Sequence, residues 1–328
     1  MPAIDWDALA AEAVDVLQRL IRIDTSNPPG NEERAADFLA GLLAAEGIPS
    51  RKLVSAPGRA NLVADLGDGG KPLVLLNHTD VVPVEAEHWR VDPFAAVIQD
   101  GFVWGRGALD MKGMAALELV VFLTLKRRDV RLNRPVRFLA VADEEAGSEY
   151  GVEWLDRKHP ELIDGAAVIN EGGYGAETYL GVERPLFGLS LAEKSPLWLT
   201  LKATGRPGHG SAPHDDNVLD RLVRAMRRVQ AWEPAPVLTE PVRDQLRGAH
   251  AEGYLDADPD TTPAPELAAR HGSLRHVLTN TISATGLHAC MKQNVIPAAG
   301  SATLDCRHVP GYTHEQFIAE LRRVIDDS

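Results

Sequence analysis

Apolar residues recur three or four positions apart in several stretches of the chain. This spacing places them on one face of a helix, so each stretch is predicted to be an amphipathic helix. The predicted helices cover residues 5–23, 32–45, 112–127, 216–231 and 313–325. Thr313, which precedes the last apolar pattern, is a typical residue at the start of a helix.

Short apolar runs alternate with these helices in the first half of the chain. They cover residues 61–66, 73–77, 136–142 and 166–169. Runs of this kind are typical of strands that are buried on both faces. The alternation predicts the α/β class, with a mostly parallel sheet and helices on both faces.

The pattern changes near Arg184 and Pro185, and we therefore predict two domains, residues 1–184 and 185–328. In the second domain, the predicted order is strand, helix, two strands and helix, with strands at 197–204, 278–289 and 300–306. These are five of the six elements of a ferredoxin-like α+β domain. Residues 232–275, rich in Pro, Ala and charged residues, are predicted to be an irregular insertion.

Composition excludes several classes of partner. The 328 residues include 34 Lys and Arg against 47 Asp and Glu, a net charge of −13. A binding partner rich in phosphate needs a basic face, so nucleic acid is not expected, and anionic membranes are disfavoured. The N-terminal residues lack the pattern of a signal peptide, and no apolar run is long enough to span a membrane. The two cysteines, Cys290 and Cys306, fit a reducing compartment, and we expect a cytoplasmic protein.

Polar side chains that could bind a metal follow the apolar run at 73–77. His78 and Asp80 project to the same side of an extended segment, so Asp80 could hold one ring nitrogen of a metal-bound His78. A polar surface turn is the alternative. Asp110 lies in a glycine-rich loop that leads into a predicted helix, where it could be a metal ligand or a helix cap. The loop lacks the third glycine of a dinucleotide-binding fingerprint.

Two more predicted strands end in carboxylates. Residues 143–145 are three adjacent acids, which must be either solvated or compensated by cations. Glu171 follows the run at 166–169. The order of elements places all these residues along one edge of one sheet, where open α/β sheets bind their ligands. A mixed shell of His and carboxylate suits zinc, and the number of carboxylates suits two metal ions.

With these residues, the sequence resembles the dinuclear zinc amidohydrolases that include aminoacylase, acetylornithine deacetylase, succinyl-diaminopimelate desuccinylase and glutamate carboxypeptidase. Five motifs carry the resemblance, in the family's order: Ser26-Asn27-Pro28-Pro29-Gly30-Asn31-Glu32, His78-Thr79-Asp80-Val81-Val82-Pro83, Gly105-Arg106-Gly107 through Asp110-Met111-Lys112-Gly113, Asp143-Glu144-Glu145 and Asn170-Glu171-Gly172. The resemblance implies a zinc-exopeptidase-like catalytic domain and an inserted lid domain.

The resemblance implies a role for each matching residue. His78 and Glu171 would bind the first zinc, Glu145 the second, and Asp110 would bridge the two. Asp80 would orient His78. The general base would be Glu144, which takes a proton from the attacking water. The family uses two zinc ions per subunit, with cobalt or manganese as alternatives.

The second half of the chain also matches the family. His209, in Gly208-His209-Gly210-Ser211, would donate to the oxyanion, and Asn294 and Arg307 would hold the carboxylate of the substrate. The alternatives are a polar loop for His209 and a surface ion pair for Arg307. The resemblance further implies a small-molecule or peptide substrate and a homodimer formed through the lid domain. The segment from Glu193 to Trp198 and the insertion favour the carboxypeptidase-like branch.

The chain departs from the family pattern at its end. Family members continue past the lid into a segment that carries the histidine of the second zinc site and completes the lid and the catalytic sheet. We therefore expect a truncated member with one tight and one weak zinc site. The predicted function is zinc-dependent hydrolysis of an amide or peptide bond in a small N-acyl amino acid or peptide. The alternatives are a catalytically impaired metal-binding or dimerising remnant, and a biosynthetic deacylase of the acetylornithine or succinyl-diaminopimelate type.

Overall fold

The computed structural model describes residues 3–189, 192–289 and 292–326. The chain divides into two compact units, Met1–Glu171 (unit 1) and Gly172–Ser328 (unit 2). The predicted domain boundary lies after residue 184. Cys290 lies outside the described residues, and Cys306 is a buried free thiol. No helix among the described residues has both the length and the apolar character needed to cross a membrane.

Unit 1 is an α/β structure, which confirms the predicted fold class. Its elements are α1 (Trp6–Ile21), α2 (Glu32–Ala45), β1 (Ser50–Ala56), β2 (Arg59–Leu66), β3 (Leu73–His78), β4 (Val97–Gln99), β5 (Phe102–Trp104), α3 (Lys112–Arg127), β6 (Val136–Val141), α4 (Val152–Lys158), α5 (Pro160–Ile163) and β7 (Ala167–Ile169). The sheet order is β1-β2-β6-β3-β7. Strand β3 runs parallel to β6 and β7, whereas β1, β2 and β6 pair antiparallel. Strand β1 and the β4–β5 hairpin were not predicted.

Both faces of this sheet are covered by helices, as the short apolar runs predicted. Successive residues of a strand point to opposite faces. In β6, Phe138 packs with the core that includes residues of α1, α2 and α3, and Leu139 packs with Leu155 and Leu162 of α4 and α5. Residues on both faces of β6 are therefore apolar from Phe138 onward.

The parallel strands of unit 1 determine where polar side chains collect. Because β6, β3 and β7 run in the same direction, their carboxyl ends meet at one edge of the sheet. His78 ends β3, residues 143–145 follow β6, and Glu171 follows β7. The candidate ligands from three strands are thereby brought to the same edge.

Unit 2 contains the predicted strand-helix-strand-strand-helix order. Its elements are β8 (Tyr174–Ala176), β9 (Leu186–Gly188), β10 (Ser195–Thr204), β11 (Gly208–His209), α6 (Val218–Ala231), α7 (Glu240–Ala251), α8 (Ala264–Arg270), α9 (Arg275–Leu278), β12 (Thr281–His288), β13 (Val295–Ile296), β14 (Ala299–His308) and α10 (His314–Ile325). The main sheet is antiparallel, in the order β10-β14-β12, and shares an apolar core with α6 and α10. The start of α10 is confirmed, because Thr313 and Gln316 form a capping box.

The prediction of an irregular insertion at 232–275 was wrong. This segment contains α7 and α8 and has its own buried core, which includes Leu246 and Leu267. The prolines misled the prediction, because Pro241 and Pro265 occupy the first turn of their helices. Proline is tolerated there, since that position has no intrahelical hydrogen bond to lose.

Candidate metal centre

His78 is the centre of a cluster of carboxylates in unit 1. Its side chain is only 2% exposed. The ring Nε2 lies 3.1 Å from Asp110 Oδ1, 3.6 Å from Glu171 Oε1 and 3.8 Å from Glu144 Oε2. A single imidazole nitrogen thus faces three carboxylates.

The structure brings together three of the four predicted metal ligands. One ligand atom each from His78, Asp110 and Glu171 lies within 4.8 Å of the others. Glu145 is not part of this group. Burial, together with the nearby Asp110 carboxylate, raises the pKa of Glu145 to about 7.

Asp80 holds the other side of the His78 ring. The His78 Nδ1 lies 3.1 Å from the main-chain oxygen of Asp80 and 3.4 Å from its Oδ1. A carbonyl oxygen can only accept, so Nδ1 carries the proton of the neutral ring. Nε2 then carries the free lone pair that a metal would need. The Asp80 carboxylate also accepts from the main-chain N–H groups of Glu144 and Glu145, both at 3.1 Å.

The electrostatics of the cluster favour a cation. Burial lowers the pKa of His78, but the partners Asp80 and Glu171 outweigh it and raise the pKa to about 11. His78 in turn lowers the pKa of Glu171. The pKa of Glu144 is raised, first by burial and then by carboxylates including Glu171, although His78 opposes the change. Without a metal, a proton on His78 is the positive charge that these acids share.

The glycine-rich loop anchors Asp110 between β5 and α3. The Lys112 side chain is buried, and its Nζ donates to the main-chain oxygens of Leu20 (3.1 Å), in the last turn of α1, and Ile23 (2.8 Å), just after it. Burial lowers the pKa of Lys112 to about 8. A Cβ at Gly113 would lie 2.3 Å from the Ala108 oxygen, so only glycine fits this close turn. The loop is therefore fixed on both sides of its acidic residue.

Two of the three predicted residues of unit 2 are neighbours there. His209 in β11 pairs with Val295 in β13, and Gly210 N donates to the Asn294 oxygen at 2.8 Å. The Ser211 main-chain N–H donates to His209 Nδ1 at 3.2 Å, which leaves the ring proton on Nε2. An exposed Nε2–H is the donor that an oxyanion would need.

Arg307 lies in a different sheet of unit 2. It is in β14, opposite Pro196 of β10 and Thr281 of β12. Its side chain is 52% exposed, and its ion pair with Asp305 is long, at 3.4 Å. The charge of Arg307 adds to burial in lowering the pKa of Lys194 to about 8.

Sequence reasoning assigned no role to four residues behind the cluster. They form a buried network of hydrogen bonds and ion pairs: Asn27, Glu32, Arg59 and Asp143. The three adjacent acids gave part of the signal, since the buried Asp143 is compensated by the cation of Arg59. Nothing in the local sequence distinguishes Arg59 from other arginines.

The chain was compared with known families and proteins. Residues 74–312 match the model of peptidase family M20/M25/M40. Aminoacylase-1A of Rattus norvegicus is 30% identical over 94% of this chain and 69% of its own length. A succinyl-diaminopimelate desuccinylase of Methylobacterium radiotolerans is 32% identical over 96% of this chain and 71% of its own length.

A solved structure supports the same fold. The M20 family metallo-carboxypeptidase Sso-CP2 of Sulfolobus solfataricus superposes with a TM-score of 0.70 and 21% identity. The match covers 96% of this chain and 75% of that one.

Proposed function

This chain belongs to peptidase family M20/M25/M40 and is a hydrolase of amide or peptide bonds, and we propose that it is a zinc enzyme for small N-acyl amino acids or peptides with a free carboxylate. The observation that carries the proposal is the group formed by His78, Asp110 and Glu171, whose ligand atoms lie within 4.8 Å of one another. The aminoacylase and desuccinylase relatives support an N-acyl amino acid as the substrate.

The donor set fits a divalent metal of the zinc type. One neutral imidazole nitrogen and two carboxylate oxygens are ligands that zinc accepts in catalytic sites. The hydrogen bond from His78 to Asp80 fixes the tautomer that leaves Nε2 free. In the proposal, Glu145 supports a second ion together with Asp110. When bound, the metal supplies a Lewis acid for the scissile carbonyl and lowers the pKa of water.

Glu144 is the general base of the proposed reaction. Its side chain is 47% exposed, so water and substrate can reach it, and its pKa is raised above the ordinary value of a glutamate, chiefly by partial burial. A base of this kind accepts a proton from the attacking water and passes it to the leaving amine. Asp80 keeps Glu144 in place through the hydrogen bond to its main-chain N–H.

Unit 2 contributes the substrate-binding groups in this proposal. His209 donates its Nε2–H to the oxyanion, as its hydrogen bond from Ser211 favours. Asn294 and Arg307 hold the substrate carboxylate, and the weak pairing of Arg307 with Asp305 leaves its planar fork available.

Hydrolysis assays with purified protein test the proposal. The zinc-loaded chain is assayed with N-acetyl amino acids, N-succinyl amino acids and dipeptides, before and after chelation. We expect release of the free amino acid, lost on chelation and restored by Zn²⁺. The 32% identity to a desuccinylase supports N-succinyl amino acids as a second substrate class. Zinc binding without turnover of any substrate would instead favour a metal-binding protein without catalysis.

A further inference from the structure

The turn that carries Glu144 is held from behind by Asp143. The Asp143 backbone has a φ of 67°, a conformation that is rare outside glycine. Its Oδ1 accepts from Arg59 Nη2 at 2.7 Å and from Asn27 Nδ2 at 2.9 Å, and its Oδ2 accepts from the Tyr150 N–H at 3.1 Å. Three donors therefore fix this one buried carboxylate.

Arg59 binds two buried carboxylates at once. Its Nε and Nη2 donate to the two oxygens of Glu32, both at 2.7 Å, while Nη2 also reaches Asp143. The guanidinium lies 5.1 Å from the centre of the Tyr150 ring. Gly30 makes room for it, since a Cβ there would lie 2.4 Å from Arg59 Nε. The planar fork of arginine suits this double pairing, whereas lysine presents a single point charge.

Asn27 connects Asp143 to the residue that holds the histidine. Its single Nδ2 donates to Asp80 Oδ2 at 2.8 Å and to Asp143 Oδ1 at 2.9 Å. The Asn27 main chain is itself fixed, because its N–H donates to the Val81 oxygen at 2.9 Å. Two neighbouring carboxylates would repel each other without this shared donor and the positive charge of Arg59.

We propose that Arg59 is a positioning residue, which acts through Asp143 to fix the turn of Glu144 and Glu145 against the metal ligands. This inference rests on the proposed function. Arg59 contacts Asp143 of the acidic turn directly and reaches Asp80 only through Asp143 and Asn27. Partners of metal ligands typically contribute about ten- to a hundredfold to metal affinity or activity, and Arg59 lies further from the ligands than such a partner. We therefore place its contribution at about tenfold.

The test compares Arg59→Lys with Arg137→Lys, which is a matched control. Arg137 in β6 forms a fork with Asp65 of β2, at 2.7 and 3.0 Å, on the same two strands but away from the carboxyl end of β6. Each protein is freed of metal and titrated with Co²⁺, whose visible spectrum reports the ligand geometry. We expect Arg59→Lys to weaken Co²⁺ binding by about tenfold and to change the spectrum, while Arg137→Lys matches the wild type.

A second variant and a kinetic readout separate positioning from folding. Asp143→Asn keeps the size of the side chain but loses its charge, and we expect a change of the Co²⁺ spectrum in the same direction. With substrate, kcat should fall in Arg59→Lys while KM stays constant, because the base is misplaced but the substrate contacts are not.

Several results would overturn the inference. An unchanged spectrum and Co²⁺ affinity in Arg59→Lys and Asp143→Asn would make the network purely structural, and equal losses in Arg137→Lys would show general loosening. A wild type that binds no Co²⁺ would contradict the proposed function as well as this inference.

Discussion

The same two strands, β2 and β6, carry an arginine–carboxylate fork at each end. At the carboxyl end of β6, Arg59 pairs with Glu32 and Asp143, whose side chains are 0% and 4% exposed. At the other end, Arg137 pairs with Asp65, whose side chain is 41% exposed. Arg137 is itself only 13% exposed and also donates to the main-chain oxygens of Glu161 and Leu162, so the two pairs differ in their carboxylates. Only the carboxylates of the first pair are buried and connected to the residues around His78.

Burial determines how much such a pair contributes to stability. An exposed pair is solvated in either state and contributes about 0–1 kcal/mol. A buried pair must be satisfied by both partners, because removing one leaves an uncompensated charge in the interior. The carboxyl end of the sheet therefore has little tolerance for change.

The largest expected contrast between the two ends is in the rate of hydrolysis. Glu144→Gln removes the proposed base but no member of the His78–Asp110–Glu171 group, so kcat should fall by about a hundred- to ten-thousandfold with metal content unchanged. Asp65→Asn, at the other end, should leave kcat unchanged. Rate and bound metal are measured on the same samples. Loss of metal with an unchanged residual rate would reverse the roles of Glu144 and Glu145.

The second contrast is in stability. Arg59→Gln leaves Glu32 and Asp143 buried without their cation, and should lower the free energy of unfolding by about 3–5 kcal/mol. Asp65→Asn, which removes the charge of the exposed partner of Arg137, should lower it by only about 0–1 kcal/mol. Urea denaturation measures both. Equal losses would show that the burial of the first pair has no energetic consequence.

The third contrast concerns protonation at the carboxyl end. Glu118 in α3 is 6% exposed, and its carboxylate accepts from Asn77 Nδ2 at 2.8 Å. Burial raises the pKa of Glu118 from 4.5 to about 7, against the opposing effect of Asn77. Between these values the folded chain keeps a proton that the unfolded chain releases. The contribution of the protonated Glu118 to the free energy of unfolding is thus fully present below pH 4.5 and is lost as the pH rises to about 7.

Glu118→Gln isolates this effect. The Asn77 Oδ1 and Glu118 Oε1 are buried atoms without a hydrogen-bond partner among the described residues. The side-chain amide of the introduced glutamine is a donor that carries no charge. The variant should equal the wild type near pH 4.5 and exceed its stability at pH 8 by on the order of 1–3 kcal/mol. The exposed Glu153→Gln serves as the control. A pH-independent difference between Glu118→Gln and the wild type would refute the raised pKa.

Local patterns sufficed for many of the elements and for the acids at the strand ends. The apolar run of β6 and the Thr313 cap are local signals, and the structure has both. The same reasoning missed α7, because charged residues and Pro241 hid a buried face whose partners are distant in sequence. Helix formation there depends on tertiary packing more than on propensity.

The buried network of Asn27, Glu32, Arg59 and Asp143 could not be predicted, for a different reason. Arg59 lies 84 positions from Asp143 in the sequence, and only the pairing of β2 with β6 brings them together. Strand register cannot be derived from composition or spacing within one segment. His78, Glu145 and Glu171 were predictable as candidate ligands because each lies at or just after the end of its own strand, whereas Asp110 was identified through its glycine-rich loop.

Zinc titration of two histidine variants tests the metal centre most directly. His78 belongs to the half-buried ligand group, whereas His88 belongs to an exposed group with Glu85 and Glu87. The metal-free wild type, His78→Ala and His88→Ala are titrated with Zn²⁺ in competition with a chromophoric chelator. We predict tight Zn²⁺ binding by the wild type and by His88→Ala, and its loss in His78→Ala. Equally tight binding by His78→Ala and the wild type would contradict a metal centre built on His78.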